Sequence, residues 1–116
     1  MFTNRYRLAA LAVLVAITSC RSDPHPIQVG ENMVTVENLT SRDWRNVVVT
    51  VNDHFRGGAA ILAAHGRLTA PLSQFQTGFG QRFDIAHQNV FKVEVTATDS
   101  AGEAVRLDYG ANAKKP

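Results

Sequence analysis

A chain of 116 residues that is 45% hydrophobic and 19% charged has room for one modest core and the balance of a globular protein, which excludes a disordered tail and a polytopic membrane protein. The formal net charge is +2 and the isoelectric point about 9.0, but the excess sits at the front: without Arg5 and Arg7, ten basic residues face ten acidic ones, all of which follow Cys20. Arg42, Arg45, Arg56, Arg67, Arg82 and Arg106 are spread along the chain and interleaved with acids, whereas a nucleic-acid footprint needs a concentrated basic patch, so no nucleic-acid partner is expected.

Residues 1–20, MFTNRYRLAALAVLVAITSC, begin with a short stretch carrying two arginines, continue with ten apolar residues from Leu8 to Ile17, and end in small polar residues. That is the tripartite layout of an export signal, expected as a helix that is cut away. The apolar run is half the roughly 20 residues that a helix needs to span about 30 Å of hydrocarbon, so a permanent transmembrane helix is not expected.

The end of this segment, Ile17-Thr18-Ser19-Cys20, resembles the lipobox of bacterial lipoproteins at every position. The resemblance implies that residues 1–19 are removed and that Cys20 receives a diacylglyceryl group and an acyl chain on its new amino group, such as palmitate. Two or three chains would hold the protein firmly, since each buried methylene contributes about 0.8 kcal/mol. The chain has no other cysteine, so an internal disulfide is impossible, and acylation removes a thiol that is a liability in an oxidising envelope. Arg21 stands where some lipoproteins carry the aspartate that retains them in the inner membrane, which favours an outer-membrane location facing the periplasm. Residues 20–26 then form a stiff tether with two prolines, and the six after the cysteine reach about 20 Å at about 3.3 Å each.

From Ile27 to Gly110 the pattern has period two, which predicts strands. Val34 and Val36 mark one strand. Asn46 to Asn52 is the strongest, with Val47, Val49 and Val51 on one face and Val48 and Thr50 on the other, and is expected to be central. Ala59 to Leu62 and Leu68 to Leu72 are shorter, Val90 to Thr98 places Phe91, Val93, Val95 and Ala97 on one face, and Val105, Leu107 and Tyr109 alternate in the last. Turn chemistry is expected at Asn52-Asp53, Gly57-Gly58, His65-Gly66 and Asp99-Ser100-Ala101-Gly102. Six or seven antiparallel strands in one small domain over residues 27–110 predict an all-β two-sheet sandwich of immunoglobulin or fibronectin-like type, with a small barrel as the alternative and residues 111–116 as a tail. Val34 to Asn52 and Pro71 to Phe83 resemble stretches of small bacterial β-sandwich domains of unassigned function, which implies a fold and not an activity.

Four aromatic residues are candidates for a ligand or partner surface. Trp44 either stacks on a ligand or plugs a strand entrance, the latter being favoured. Phe75, Phe79 and Phe83 recur every four residues in a long, glycine-containing connection, where they either line an apolar groove or cap the core, the latter being favoured. Gly78-Phe79-Gly80-Gln81-Arg82-Phe83 lacks the third glycine of a dinucleotide fingerprint. His25, His54, His65 and His87 have no metal-site spacing, and no nucleophile motif is present, so no cofactor, metal or catalytic residue is expected. Asn38-Leu39-Thr40 matches a glycosylation pattern that a bacterial export route makes a chance match, and Lys114 and Lys115 are expected to be solvated. The expected role is that of a lipid-anchored envelope protein that binds another envelope component through a strand edge or the Phe75 to Phe83 loop; a small-ligand or carbohydrate-binding module using exposed aromatics is the alternative.

Overall fold

The structure, a computed structural model, describes residues 25–110; the expected signal helix, Cys20 and the tail with Lys114 and Lys115 lie outside the described residues. Seven strands form two antiparallel sheets. Three strands, β1 (Ile27–Val29), β2 (Met33–Glu37) and β5 (Arg67–Pro71), pair in the order β1-β2-β5. The other four, β3 (Trp44–Val51), β4 (Phe55–Leu62), β6 (Lys92–Asp99) and β7 (Ala104–Gly110), pair in the order β4-β3-β6-β7. The valine strand is internal, as its composition predicts, and β1 is a seventh strand that the six apolar runs did not single out.

The sheets pack face to face because each has one apolar face. Ile27, Val34 and Val36 of the smaller sheet meet Val47, Val49, Val51, Val93, Val95 and Ala97 of the larger one, all buried, and each such side chain contributes on the order of 1.5–3 kcal/mol by leaving water. Phe91 departs from the expected face: β6 begins at Lys92, two residues after the expected start at Val90, and the ring is half exposed. Trp44 is buried although it is an odd number of residues from the inward valines, and strict alternation would put it outside. A bulge resolves the conflict. The register of β3 against β6 slips between Arg45 and Val48, and Asn46 takes a positive φ of 53°, a conformation that asparagine tolerates better than most residues.

Gly57-Gly58, expected as a turn, lies inside β4 opposite Val49 and Val48. Two close approaches explain the glycines: a Cβ on Gly57 would stand 3.0 Å from the Phe75 ring, and one on Gly58 would stand 2.0 Å from the Val47 carbonyl oxygen. The other three turns stand where expected, with positive φ at Asn52, Asp53, His65 and Gly102.

Each end of the sandwich is closed by a buried asparagine. At one end the Asn38 Nδ2 donates to the carbonyls of Arg42, Leu62 and Ala63 at 2.8, 3.2 and 3.2 Å, while its Oδ1 accepts from the Thr40 amide and hydroxyl at 3.0 and 2.6 Å. The apparent glycosylation asparagine is thus a fully buried structural hub joining the β2–β3 and β4–β5 connections. At the other end Asn52 Nδ2 donates to the Asn89 carbonyl at 2.8 Å, and Oδ1 accepts from the amides of Phe91 and Lys92 at 2.9 and 3.2 Å. Asn38→Ala strands several buried partners and is expected to lower stability by about 2–4 kcal/mol, read as a fall in the urea midpoint at unchanged slope; a shift below about 0.5 kcal/mol would show the hub to be dispensable.

Asp99 opens the β6–β7 turn. Its Oδ1 accepts the amides of Ala101 and Glu103, both at 2.9 Å, and Arg42 stands 3.4 Å from Oδ2; these donors, Glu103 first, hold its carboxyl below the ordinary value of 3.8. The folded pKa is the lower one, so the stabilisation is present above the unfolded value and is lost as pH falls through the folded value. Acid unfolding of Asp99→Asn should therefore depend less steeply on pH below about 4 than that of the wild type, a difference visible by circular dichroism.

Candidate interaction surface

The long connection between β5 and β6 is the part of the chain that the sheet ladders do not account for. It opens with a 3-10 turn at Leu72–Gln74, whose Leu72 amide donates to the Asn32 carbonyl at 2.7 Å, and then folds into a small hairpin. Phe83 N donates to Phe75 O at 2.9 Å, Gln76 pairs with Arg82, and Thr77 N donates to Gln81 O at 2.8 Å, with Gly78, Phe79 and Gly80 at the tip. The four-residue spacing of the phenylalanines is that of a hairpin with its rings at both feet and its tip, and not that of a helix. Phe75 packs over Gly57, Phe83 stands edge-on to Phe55 with centroids 5.2 Å apart, and both are core residues.

Of the four candidate aromatics, Trp44, Phe75 and Phe83 are 2%, 1% and 3% exposed, and Phe79 is 100% exposed. The four rings therefore share no stacking surface. A groove of about 450 Å³ runs beside Phe79, between the hairpin and the β3–β4 turn, with Arg56, His54 and Gln76 in its walls. A second of about 470 Å³ lies between the β1–β2 turn and residues 85–90, with Glu31, Asn32, Gln88 and Asn89 around Leu72 and Phe83. Among the described residues no group of three potential metal ligands comes together. Among the described residues the one histidine–carboxylate pair, His87 Nδ1 to Asp84 Oδ2 at 2.9 Å, is exposed on both sides, and its hydrogen bond lowers the Asp84 carboxyl.

The hairpin also acts on the sheet. Arg56 of β4 and Gln76 exchange two backbone hydrogen bonds, of 2.9 and 3.2 Å, so Gln76 and then Arg82 continue the four-stranded sheet past its β4 edge. This added pairing stops at Arg56. From Gly58 to Ile61 the outer edge of β4 has no strand partner among the described residues, and the Leu62 carbonyl beyond it is taken by Asn38 Nδ2 at 3.2 Å. By alternation from Arg56, the amides and carbonyls of Gly58 and Ala60 point away from β3. The stretch from Gly57 to Ile61 carries no charge and no proline, the devices by which edge strands are usually protected, while beyond it Asp43 Oδ1 accepts the Ala64 amide at 2.9 Å; Ile61 and Val48 on the adjoining outer face are 62% and 38% exposed. Sequence reasoning missed this edge because it read the Gly-Gly pair as a turn and so cut β4 to half its length. The alternation of Phe55, Gly57 and Ala59 opposite Val51, Val49 and Val47 was the available signal.

The different placements of the phenylalanines generate a prediction. Phe75→Ala should destabilise the domain by about 3–5 kcal/mol, whereas Phe79→Ser should leave the urea midpoint unchanged, because its ring gives up no buried area. Equal effects on unfolding would place Phe79 in the core.

Compared with family models, curated proteins and solved structures, the chain matches none.

Proposed function

We propose that this chain is a lipid-anchored protein of the bacterial cell envelope whose β-sandwich is an interaction module without enzymatic activity, receiving a partner protein at the open edge of β4. The observation that carries this reading is the four-residue window from Gly58 to Ile61. It is an uncharged, unprotected sheet edge beside exposed Ile61, on a strand whose first outward-facing backbone groups are already paired by the chain's own hairpin. Such edges accept an added strand through main-chain hydrogen bonds, with side chains on the adjoining face setting specificity. The anchor is proposed from Ile17-Thr18-Ser19-Cys20 and the apolar run before it, with an outer-membrane, periplasm-facing location.

The sandwich is proposed to be of immunoglobulin or fibronectin-like type. Its strand order supports this: β1, β2 and β5 correspond to the A, B and E strands, β3, β6 and β7 to C, F and G, and β4 to an extra edge strand beside C. A buried tryptophan on the C-like strand fits, while the cysteine pair of antibody domains is absent from this chain.

Two variants test the proposal in the envelope of the expressing cell. Wild-type protein should fractionate with membranes carrying an acyl mass increment and give a crosslinked species there. Cys20→Ala should lose the increment and the membrane association. Ile61→Lys should keep both but lose the crosslink at unchanged stability. An unmodified, freely secreted wild type would end the anchor reading, and a crosslink indifferent to Ile61→Lys would end the edge reading.

A further inference from the structure

Seven basic residues lie within the described part of the chain, and four are paired: Arg42 with Asp99, Arg67 with Glu37, Lys92 with Asp53, and Arg106 with Glu94. Arg45, Arg56 and Arg82 have no carboxylate within 4 Å among the described residues. These three are far apart in sequence, and the fold gathers them around one edge. Arg82 pairs with Gln76, Gln76 with Arg56, and Arg56 with Thr50, so the two guanidiniums stand in one row across the added strands. Arg45 is opposite Ile61 at the other end of the open window. Five residues separate Arg56 from Ile61 along β4, about 16 Å of strand. Between the cationic ends lies the apolar stretch of Val48, Gly58 and Ile61.

Building on the edge-docking reading above, we propose that the occupant of the β4 edge is an acidic, extended segment of a partner protein. Its backbone pairs with Gly58 to Ile61, an aliphatic side chain at its centre lies on Val48 and Ile61, and carboxylates four residues apart meet Arg45 at one end and Arg56 with Arg82 at the other. Residues i and i+4 of a strand share a face and span about 13 Å, which matches the separation of the cations to within the reach of an arginine. Charge argues against a second copy of this chain as the occupant, since antiparallel pairing of two β4 edges brings like guanidiniums to the same seam.

The test uses the full-length protein in micelles of a neutral detergent and rhodamine-labelled Ser-Glu-Thr-Val-Thr-Glu-Ser, read by fluorescence anisotropy. Three comparison peptides carry lysine in place of both glutamates, glutamine in place of both, or proline in place of the valine. The acidic peptide should bind at least about tenfold more tightly than the lysine peptide, and the difference should shrink with added salt. The proline peptide should bind at least about tenfold more weakly, having lost a ladder donor. The Arg45→Gln, Arg56→Gln, Arg82→Gln triple variant, whose changes are all at exposed positions, should keep its urea midpoint and lose the acidic preference. Equal binding of the acidic, glutamine and lysine peptides, each lost with proline, would overturn the acidic partner while leaving strand addition standing. Binding of none of the peptides would overturn both readings. Vesicles containing phosphatidylglycerol are the remaining probe: if they bind through the three arginines and the acidic peptide does not, the surface is a lipid contact and the proposal fails.

Discussion

The arrangement depends on the carboxamide of Asn52. A sandwich that can form no internal disulfide must close its ends by packing and hydrogen bonding, and here one buried side chain joins the β3–β4 turn to the last residues of the long connection. By accepting the amides of Phe91 and Lys92, Asn52 sets where β6 begins, and so which residues of β6 face the core. By donating to Asn89 it also holds the returning arm of the connection against the β3 end. The chain between Leu72 and that arm has to close a loop, and it does so as a hairpin whose feet, Phe75 and Phe83, are drawn into the core over Gly57 and Phe55. The pairing of Gln76 with Arg56 follows from the seating of Phe75 next to it, so the extension of the four-stranded sheet, and the point at which it stops, trace back to the same clasp.

Much of the fold was legible because most strands obey simple periodicity. The valines of β3, the alternation in β6 and the Asn, Asp and Gly turns follow from side-chain sterics and one buried face. What escaped was what depends on contact between distant segments. Gly57 and Gly58 look like a turn by composition, and only the Phe75 ring and the Val47 carbonyl reveal why a strand interior needs them. Trp44 was readable as a plug, but the bulge that turns it inward comes from a register slip against β6, which no local pattern encodes. Phe75, Phe79 and Phe83 carry equal spacing and unequal fates, because a hairpin sends its feet and its tip in opposite directions.

The charges make the same point. Along the chain the arginines alternate with acids and look unremarkable, yet folding sorts them into two populations. Arg42, Arg67 and Arg106 find carboxylates at the sandwich periphery, where such exposed pairs contribute about 0–1 kcal/mol and matter little to stability. Arg45 stands at one end of the open window of β4, and Arg56 with Arg82 at the other. Since pairing them would have stabilised the fold little, their lack of partners costs the folded state little.

Tethering bears on how such an edge works. Pro26 accepts the Glu37 amide at 2.8 Å, so the chain enters the sandwich at the end closed by Asn38, opposite the hairpin. An edge strand runs along the long direction of a sandwich, so β4 is not hidden by whichever end lies toward the membrane. If residues 20–26 form the expected tether, with a reach of about 20 Å, the proposed lipid anchor would keep this edge within the first layer of protein above the bilayer. An extended acidic segment reaching that layer would meet a strand edge already confined near the surface, and confinement raises the effective concentration of two weakly binding partners. Four residues of strand pairing are too few for tight association in free solution, so on the proposed reading the contact forms because both partners are held at the same membrane.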